Sequence, residues 1–466
     1  MTNALRSRFC VIVATAVLAV GCGRSDKLPL PESPPAPPPP SPPPGPVDAT
    51  VSVDTTQHFQ TMTGWEATAQ AGQEDPGFGG WQTQLLDLAA NDLGINRLRV
   101  EVTSGAENPA DNYALSRAGQ VNWQSVRYQA VNDNDDPNVI NPAGFHFSQV
   151  DLEVESIVLP LRLRLQARGE HLYLNLNYVS FNQGGLIHGN AAEYAEFLLA
   201  LFVHLRDRYG VVPDAVEVIL EPDNGTIWNG SSIGAAIVAA GQRLAAAGFH
   251  PEFIGPSVTN MGNTVPYLDN MLQAPGASGY LKEIAYHRYG GVSETNLQAI
   301  ASRGAERGLR TAMLEHIGAD VEELYDDLTV GQVSAWQQFT LAFPTTDNGG
   351  QYYVISGGVP VIGSRTVGLR QYFHYVRAGA IRVGAASDHA DLVRPVAFEN
   401  VGNAPLVVLH MARAGTVALR GMRPGQYGVT TSDSAHPTLT AVTAASDGSL
   451  TVNVPSAAIV TVFSKP

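Results

Sequence analysis

From about residue 59 the chain alternates between two periodicities. Apolar, β-rich runs of strand length fall at 96–102, 171–177, 215–221, 253–257, 283–289 and 310–315, most of them closing on a polar or charged residue. Between them apolar residues recur at helical spacing. Trp81, Leu85 and Leu88 lead to Gly94; Tyr194, Phe197, Leu198, Leu201 and Leu205 lead to Gly210; Ile233, Ile237 and Leu244 follow Ser231-Ser232 and lead to Gly248. A glycine closing such a pattern suits the left-handed residue that ends many helices. Repeated strand–helix units predict a parallel sheet. With 60–65 as the first strand and 332–341 as the last there are eight, spread over the roughly 250 residues of a closed barrel. The predicted fold class is α/β, a (β/α)8 TIM barrel over 49–348.

Beyond residue 349 the helical period fades. Short alternating runs at 396–398, 406–410, 416–419, 427–430, 450–454 and 458–463 are separated by Gly, Asn, Asp and Pro, which predicts a C-terminal β-sandwich over 349–466. The early run 49–53 is expected to join it.

The first residues read differently. Arg6 and Arg8 precede an apolar run over 9–20 that ends at Gly21-Cys22. A basic flank and a short apolar core describe a secretory signal over 1–21, too short for a membrane helix. Leu18-Ala19-Val20-Gly21-Cys22 resembles the bacterial lipobox, although Ala19 stands where leucine is commonest. The resemblance implies lipidation at Cys22 and a place in the bacterial cell envelope. Gly23 is not the aspartate associated with retention in the inner membrane. Residues 22–48 form a tether: 12 of the 31 prolines lie in 29–46, where extended polyproline II is favoured and no core can pack. The only other cysteine, Cys10, lies within the signal, so disulfides, Cys-based metal sites and Cys nucleophiles are not expected. A net charge of −15 argues against a nucleic-acid partner, which needs a basic face.

In a barrel the chemistry sits where strands end, so two glutamates stand out. Glu221 closes the fourth strand and precedes Pro222-Asp223-Asn224; Glu315 closes the seventh and precedes His316. Strands four and seven face each other across the mouth. Two carboxyl groups on either side of one glycosidic bond are what its hydrolysis requires, one to protonate the leaving oxygen and one to attack. Around them, Arg99 near the end of strand two offers a guanidinium to hold Glu315 ionised. His287 and Tyr289 close strand six, within reach of the acid and the nucleophile respectively. Trp336 on strand eight offers a flat face for a sugar ring. Glycine loops for nucleotides, GxSxG elbows and HExxH zinc motifs are absent from the sequence, and no metal or organic cofactor is expected. The Asn-Gly-Thr and Asn-Gly-Ser triplets at Asn224 and Asn229 mark a loop. The polar stretch 104–143 reads as a substrate-shaping loop.

This arrangement resembles clan A of the glycoside hydrolases, within it family 30, the glucosylceramidase, xylanase and β-1,6-glucanase group. The resemblance rests on Arg99, His287-x-Tyr289, Glu221 and Glu315, on Gln60-Thr61-Met62-Thr63-Gly64-Trp65, on 372–383 and on 456–463. It implies retaining hydrolysis of a β-linked polysaccharide or oligosaccharide, with Glu221 as acid/base and Glu315 as nucleophile. One residue departs from the family: Leu220 stands where asparagine precedes the acid/base and binds the sugar 2-hydroxyl. That leaves open whether Asn177 or Asn224 supplies the contact, whether the substrate is unusual, whether another carboxylate (Glu101, Glu66 or Asp223) is the acid, or whether activity is lost. The rival expectations are a non-catalytic carbohydrate-binding lipoprotein on the same scaffold and an envelope adhesion protein with no pocket; no obligate protein partner is expected.

Overall fold

The computed structural model describes residues 46–465 apart from 182–186, 226, 344–345, 403–404 and 433–438. The expected signal 1–21, Cys22 and nearly all of the tether lie outside the described residues. Among the described residues no helix is long and apolar enough to cross a membrane.

Eight parallel strands close into a barrel: β2 (Gly64–Thr68), β3 (Arg97–Thr103), β4 (Tyr173–Val179), β5 (Ala215–Glu217), β6 (Glu252–Asn260), β7 (Leu281–Gly290), β8 (Arg310–Glu315) and β9 (Val333–Phe343), with β9 pairing back onto β2. Strand β1 (Ala49–Thr61) precedes them in the other sheet. The expected first strand, 60–65, therefore straddles two sheets. The chain crosses at Met62-Thr63, and the barrel begins at Gly64, whose φ of 145° and close approach to the Asn96 side chain leave no room for a Cβ. The glycines that close the predicted helices do so in the left-handed conformation: Gly94 after Leu88–Leu93, Gly210 after Ala191–Tyr209 and Gly248 two residues past Gly230–Ala246.

Successive residues of a strand face opposite sides, and here the two sides differ in kind. Outward positions such as Trp65, Leu98, Val100, Leu176, Val216, Phe253, Ile284 and Met313 pack under the helices in the main hydrophobic core. Inward positions are small or polar. Ala215, Ile254, Ala285, Ala312, Leu314 and Ala335 fill the lumen, and beside them lies a buried ion network. Arg97 donates to Glu66 at 2.6 Å and to Glu283 at 2.8 Å, all three without solvent exposure. Asn175 donates to both Glu66 and Glu217.

After β9 the chain makes a hairpin, β10 (Gln351–Ser356) and β11 (Val359–Ile362), that extends the barrel sheet beyond β9. The sandwich thus begins later than residue 349, at β12 (Ile381–Ser387). It continues through β13 (Val393–Glu399), β14 (Pro405–Met411), β15 (Gly415–Arg420), β16 (Gly425–Thr431), β17 (Thr440–Ala444), β18 (Leu450–Val454) and β19 (Ala458–Ser464). The hydrogen-bonded order is β17-β16-β19-β14-β13-β12-β1-β15-β18. Inward valines and leucines from all of these strands, Val51 and Val53 of β1 included, share one core.

The helix Thr366–Phe373 and the segment after it fasten this layer to the barrel. Phe373 stacks on Trp65 at 4.3 Å, Trp65 donates its indole N–H to the Val376 carbonyl, and Tyr375 stacks on Phe463. Tyr372 bonds His410 at 2.8 Å, and Glu322 at the start of the helix Val321–Thr329 meets His410 and Arg394 from the sandwich.

Two outcomes test this account. Arg97→Ala leaves Glu66 and Glu283 buried without a counter-charge and is expected to cost about 3–5 kcal/mol in urea unfolding. The hydrogen bond from His410 and the charges of His410 and Arg394 hold the Glu322 carboxyl down at about 2, against an ordinary 4.5. Its contribution is therefore complete above the ordinary value and is lost as pH falls from there through about 2. Between those limits the wild type should lose more denaturant resistance than Glu322→Gln.

Candidate active site

The mouth of the barrel is built at the C-terminal strand ends. After Glu217 the fourth strand leaves its ladder. Val218 N–H bonds the Ile254 carbonyl, Leu220 N–H turns to the Tyr178 carbonyl, and Glu221 N–H takes the Ser257 carbonyl at 3.0 Å. Glu221 itself has a positive φ of 49° and Ser257 one of 54°. Such backbone costs on the order of 1–3 kcal/mol per residue and gathers at functional sites. The result lifts the Glu221 side chain over the mouth, 8% exposed. His287 Nδ1 lies 3.0 Å from Glu221 Oε1, and the Asn224 amide donates to Oε2 at 3.2 Å.

Glu315 ends β8 opposite, 7% exposed. Arg99 donates to Oε2 at 2.5 Å, and the Tyr289 hydroxyl donates to Oε1 at 3.1 Å while accepting the Ile317 N–H. That accepted bond turns the tyrosine proton toward the carboxylate. Arg99 also reaches Glu101 at 3.0 Å and the Leu314 carbonyl at 3.3 Å. A carboxyl oxygen of Glu221 and one of Glu315 lie within 4.8 Å of each other.

The two carboxyl groups sit in different fields. Burial pushes Glu221 up, but the hydrogen bond and charge of His287, with help from Asn224 and Arg99, leave it below the ordinary carboxyl value. His287 moves the other way. Burial alone lowers an imidazole, yet the bond to Glu221 and the charges of Glu315 and Glu221 raise it above the ordinary value. Glu221 and His287 therefore share one mobile proton, while Glu315 faces a guanidinium that cannot give one up. Chemically this is a proton donor across a narrow gap from a paired carboxylate. Glu221, His287 and Glu315 also offer three ligand atoms close enough for a cation, the one such group among the described residues. Donors already point at both oxygens of each glutamate.

Most of the predicted residues meet here, with one correction. Trp336 is not in the mouth. It pairs in register with Trp65 and Met313 on the outward face, has no exposure, donates to Asp327 at 2.9 Å and packs on Phe373. The inward positions of β9 alternate with it, at Ala335, Gln337 and Phe339. Gln337 donates to the Leu314 carbonyl, and the half-buried Phe339 ring lies 5.8 Å from the Arg99 guanidinium. The parity was present in the sequence: Ala335 is the small residue that matches Ala312 and Ala285, so its neighbour Trp336 had to point out. Asn177 lies in register between Glu101 and Glu217, fully buried, with neither amide atom bonded. Leu220 packs with Tyr128, Val179 and Phe181 in a small apolar cluster. Of the reserve carboxylates, Glu66 belongs to the buried ion network and Asp223 braces a loop by accepting the Thr259 and Asn260 N–H groups. Glu101 takes Arg99 and Gln70.

No family model and no curated protein matches the chain by sequence. Its architecture does match solved structures. The catalytic domain of the GH30 xylanase C from Talaromyces cellulolyticus aligns over 90% of this chain and 100% of its own, at TM-score 0.67 and 15% identity. A GH30 endoxylanase from Clostridium papyrosolvens C71 aligns over 90% and 100%, at 0.64 and 18%. An endo-β-1,6-glucanase aligns over 90% and 94%, at 0.61 and 14%. The chain has the family 30 fold. Within that fold, barrel and β-sandwich stand together as one unit from Pro46 onward.

The shared proton gives a direct test. In Glu221→Gln the carboxylate that raises His287 is gone while the burial that lowers it remains. The imidazole should then lose its proton at lower pH than in the wild type, read from the ring carbon resonance of labelled histidine. An unchanged titration would refute the pairing.

Proposed function

We propose that the protein is a retaining β-glycoside hydrolase acting on a β-linked polysaccharide or oligosaccharide. One observation carries the reading: two barrel-end carboxyl groups, on strands four and seven, with oxygens within 4.8 Å across the mouth. Retaining enzymes hold their carboxyls about 5–5.5 Å apart, whereas inverting ones leave about 6.5–9.5 Å for a water molecule. The family 30 fold supports the same class of chemistry without identifying the sugar.

Glu315 is the nucleophile in this reading. Arg99 and the Tyr289 hydroxyl each donate to one of its carboxyl oxygens and fix its orientation. Glu221 is the acid/base. The proton it shares with His287 passes to the glycosidic oxygen as the Glu315 carboxylate attacks the anomeric carbon. The leaving group departs and a covalent glycosyl ester remains. Glu221, now ionised, takes a proton from water, and the resulting hydroxide equivalent displaces Glu315 with a second inversion. Asn177, buried with an unbonded amide beneath the mouth, is the residue we assign to the sugar hydroxyl that asparagine at position 220 would otherwise contact. We also infer from the lipobox that Cys22 is lipidated, which would hold the enzyme at the bacterial cell envelope by its proline-rich tether.

Leu220 favours one alternative, a carbohydrate-binding protein without turnover. Both readings meet in one experiment: a screen of β-linked xylans, glucans and galactans, reading released sugars. Glu315→Ala should abolish turnover, and Glu221→Ala should slow it roughly 10²–10⁴-fold. Azide added to Glu221→Ala should yield a β-glycosyl azide. Glycan binding without hydrolysis by the wild type would favour the binding protein instead.

A further inference from the structure

Beside the catalytic pair, between strands β2 to β4 and the segment 113–128, the barrel mouth opens into a cavity of about 240 Å³. The expected loop 104–143 forms its outer wall and is tied down: Glu107 bonds His188, which bonds the Tyr178 hydroxyl at 2.7 Å, and Gly105 N–H bonds the Arg127 carbonyl. The cavity is smaller than the roughly 300–1,000 Å³ of drug-sized sites, so it has room for a single ring. Glu101 lines it and shares Arg99 with Glu315. Tyr128 and Val179 line it too, and both pack on Leu220, the residue before Glu221. The cavity is therefore continuous with the site described above, yet none of that chemistry uses Glu153 or Arg127 of its lining.

These two groups are each left with a buried polar atom short of a partner. Glu153 is 3% exposed; its Oε1 receives a long bond of 3.5 Å from Gln149, and its Oε2 meets no donor at good hydrogen-bond geometry. Arg127 lies over the Tyr128 ring at 4.6 Å, its Nε is buried without a partner, and it joins no ion pair among the described residues. A buried polar atom without a partner is costly and rare, and calls for a ligand that brings one. A sugar hydroxyl both donates and accepts, which answers an acid and a guanidinium together. Four glutamines and the Trp123 ring, edge-on to Tyr113, complete the lining in the manner of carbohydrate sites.

We propose that this cavity is an accessory pocket that holds one uncharged sugar ring of the substrate between Glu153 and Arg127. The proposal deepens the glycoside hydrolase reading and rests on it for the class of ligand. Charge selects the ring. A uronate would meet one guanidinium but the carboxyl groups of Glu74 and Glu101. An amino sugar finds no fixed anion at Glu153, because burial pushes that carboxyl well above the usual range. Leu220 packs with Tyr128, Val179 and Phe181 behind the apolar part of the lining.

The test is calorimetric binding to the full chain carrying Glu315→Gln, so that turnover does not interfere. The probes are neutral β-linked xylo-, gluco- and galacto-tetrasaccharides, a glucuronate-bearing xylotetraose and a chitosan tetramer. A neutral tetrasaccharide should bind, and adding Glu153→Leu or Arg127→Met should each weaken it about tenfold or more, about 1.4 kcal/mol. Glu153→Gln should restore binding, since an amide still offers a donor and an acceptor. Arg127 lies on the half-exposed loop, so its variant answers even if Glu153→Leu fails to fold. Preference for the uronate or the amine, no binding by any neutral probe, or affinity unchanged in Arg127→Met overturns the pocket. The same tetrasaccharides given to the wild type separate the two claims. Binding that depends on Arg127 without cleavage supports the pocket while refuting hydrolysis; cleavage with Arg127-independent binding does the reverse.

Discussion

Burying a guanidinium costs several kcal/mol unless carboxylates meet it with good geometry, and strand β3 buries two. Arg97 and Arg99 occupy successive inward positions, so both point into the lumen, one turn of the pleat apart. Each gathers one carboxylate from its own or the neighbouring strand and one from across the barrel. Arg97 draws in Glu66 and Glu283 and fixes the lower layer. Arg99 draws in Glu101 and Glu315 and fixes the mouth. The geometry of the mouth is thus built on an electrostatic layer beneath it, and a slip of one residue in β3 would carry both arginines into the helix layer at once.

That constraint gives the two glutamates unlike neighbours. Glu315 meets a cation whose proton is never available and a tyrosine held in one orientation by a backbone N–H. Glu221 meets an imidazole that can carry the proton for it. Such separation of environments is how two identical side chains take opposite roles in one site. The strained backbone at Glu221 and Ser257 belongs to the same design, because a regular fourth strand would aim residue 221 along the ladder rather than over the mouth.

Much of this was legible from periodicity. The strand 310–315 coincides with β8, the run before Gly210 is the helix Ala191–Tyr209, and Arg99, His287 and Tyr289 stand against the carboxylates they were expected to meet. These succeed because strand ends and helix stops are local, and a polar residue closing an apolar strand has few places to go. The failures are all questions of which sheet or which face. The run 60–65 looks continuous because its alternation hides the crossing at Met62-Thr63. The hairpin over 351–362 reads like sandwich, since nothing local tells which sheet it will extend. Trp336 was misplaced because an aromatic attracts a functional reading, while parity with Ala335 was the stronger signal. The pocket walled by 113–128 was out of reach for another reason: Glu153 and Arg127 are brought together by a long connection whose path the sequence does not set.

The unpartnered buried atoms draw these points together. Thr68 Oγ1, Arg99 Nε, the Asn177 amide, Ser257 Oγ, His287 Nε2 and Gln337 Oε1 all line the upper half of the barrel, with Glu153 Oε2 and Arg127 Nε beside them. Arg97, Glu66 and Glu283 below have partners for their charges. Asn175 Oδ1 and Glu217 Oε1 in the layer beneath also lack partners, so the unmatched atoms run from the mouth down into the lumen, and each calls for a partner from outside the chain. The unmatched atoms include both donors and acceptors. An apolar ligand would satisfy none of them, and a compact ion would satisfy only a few. A hydroxyl-bearing ligand, which both donates and accepts, matches that chemistry. Leu220, packed with Tyr128, Val179 and Phe181, adds no polar side chain to this set.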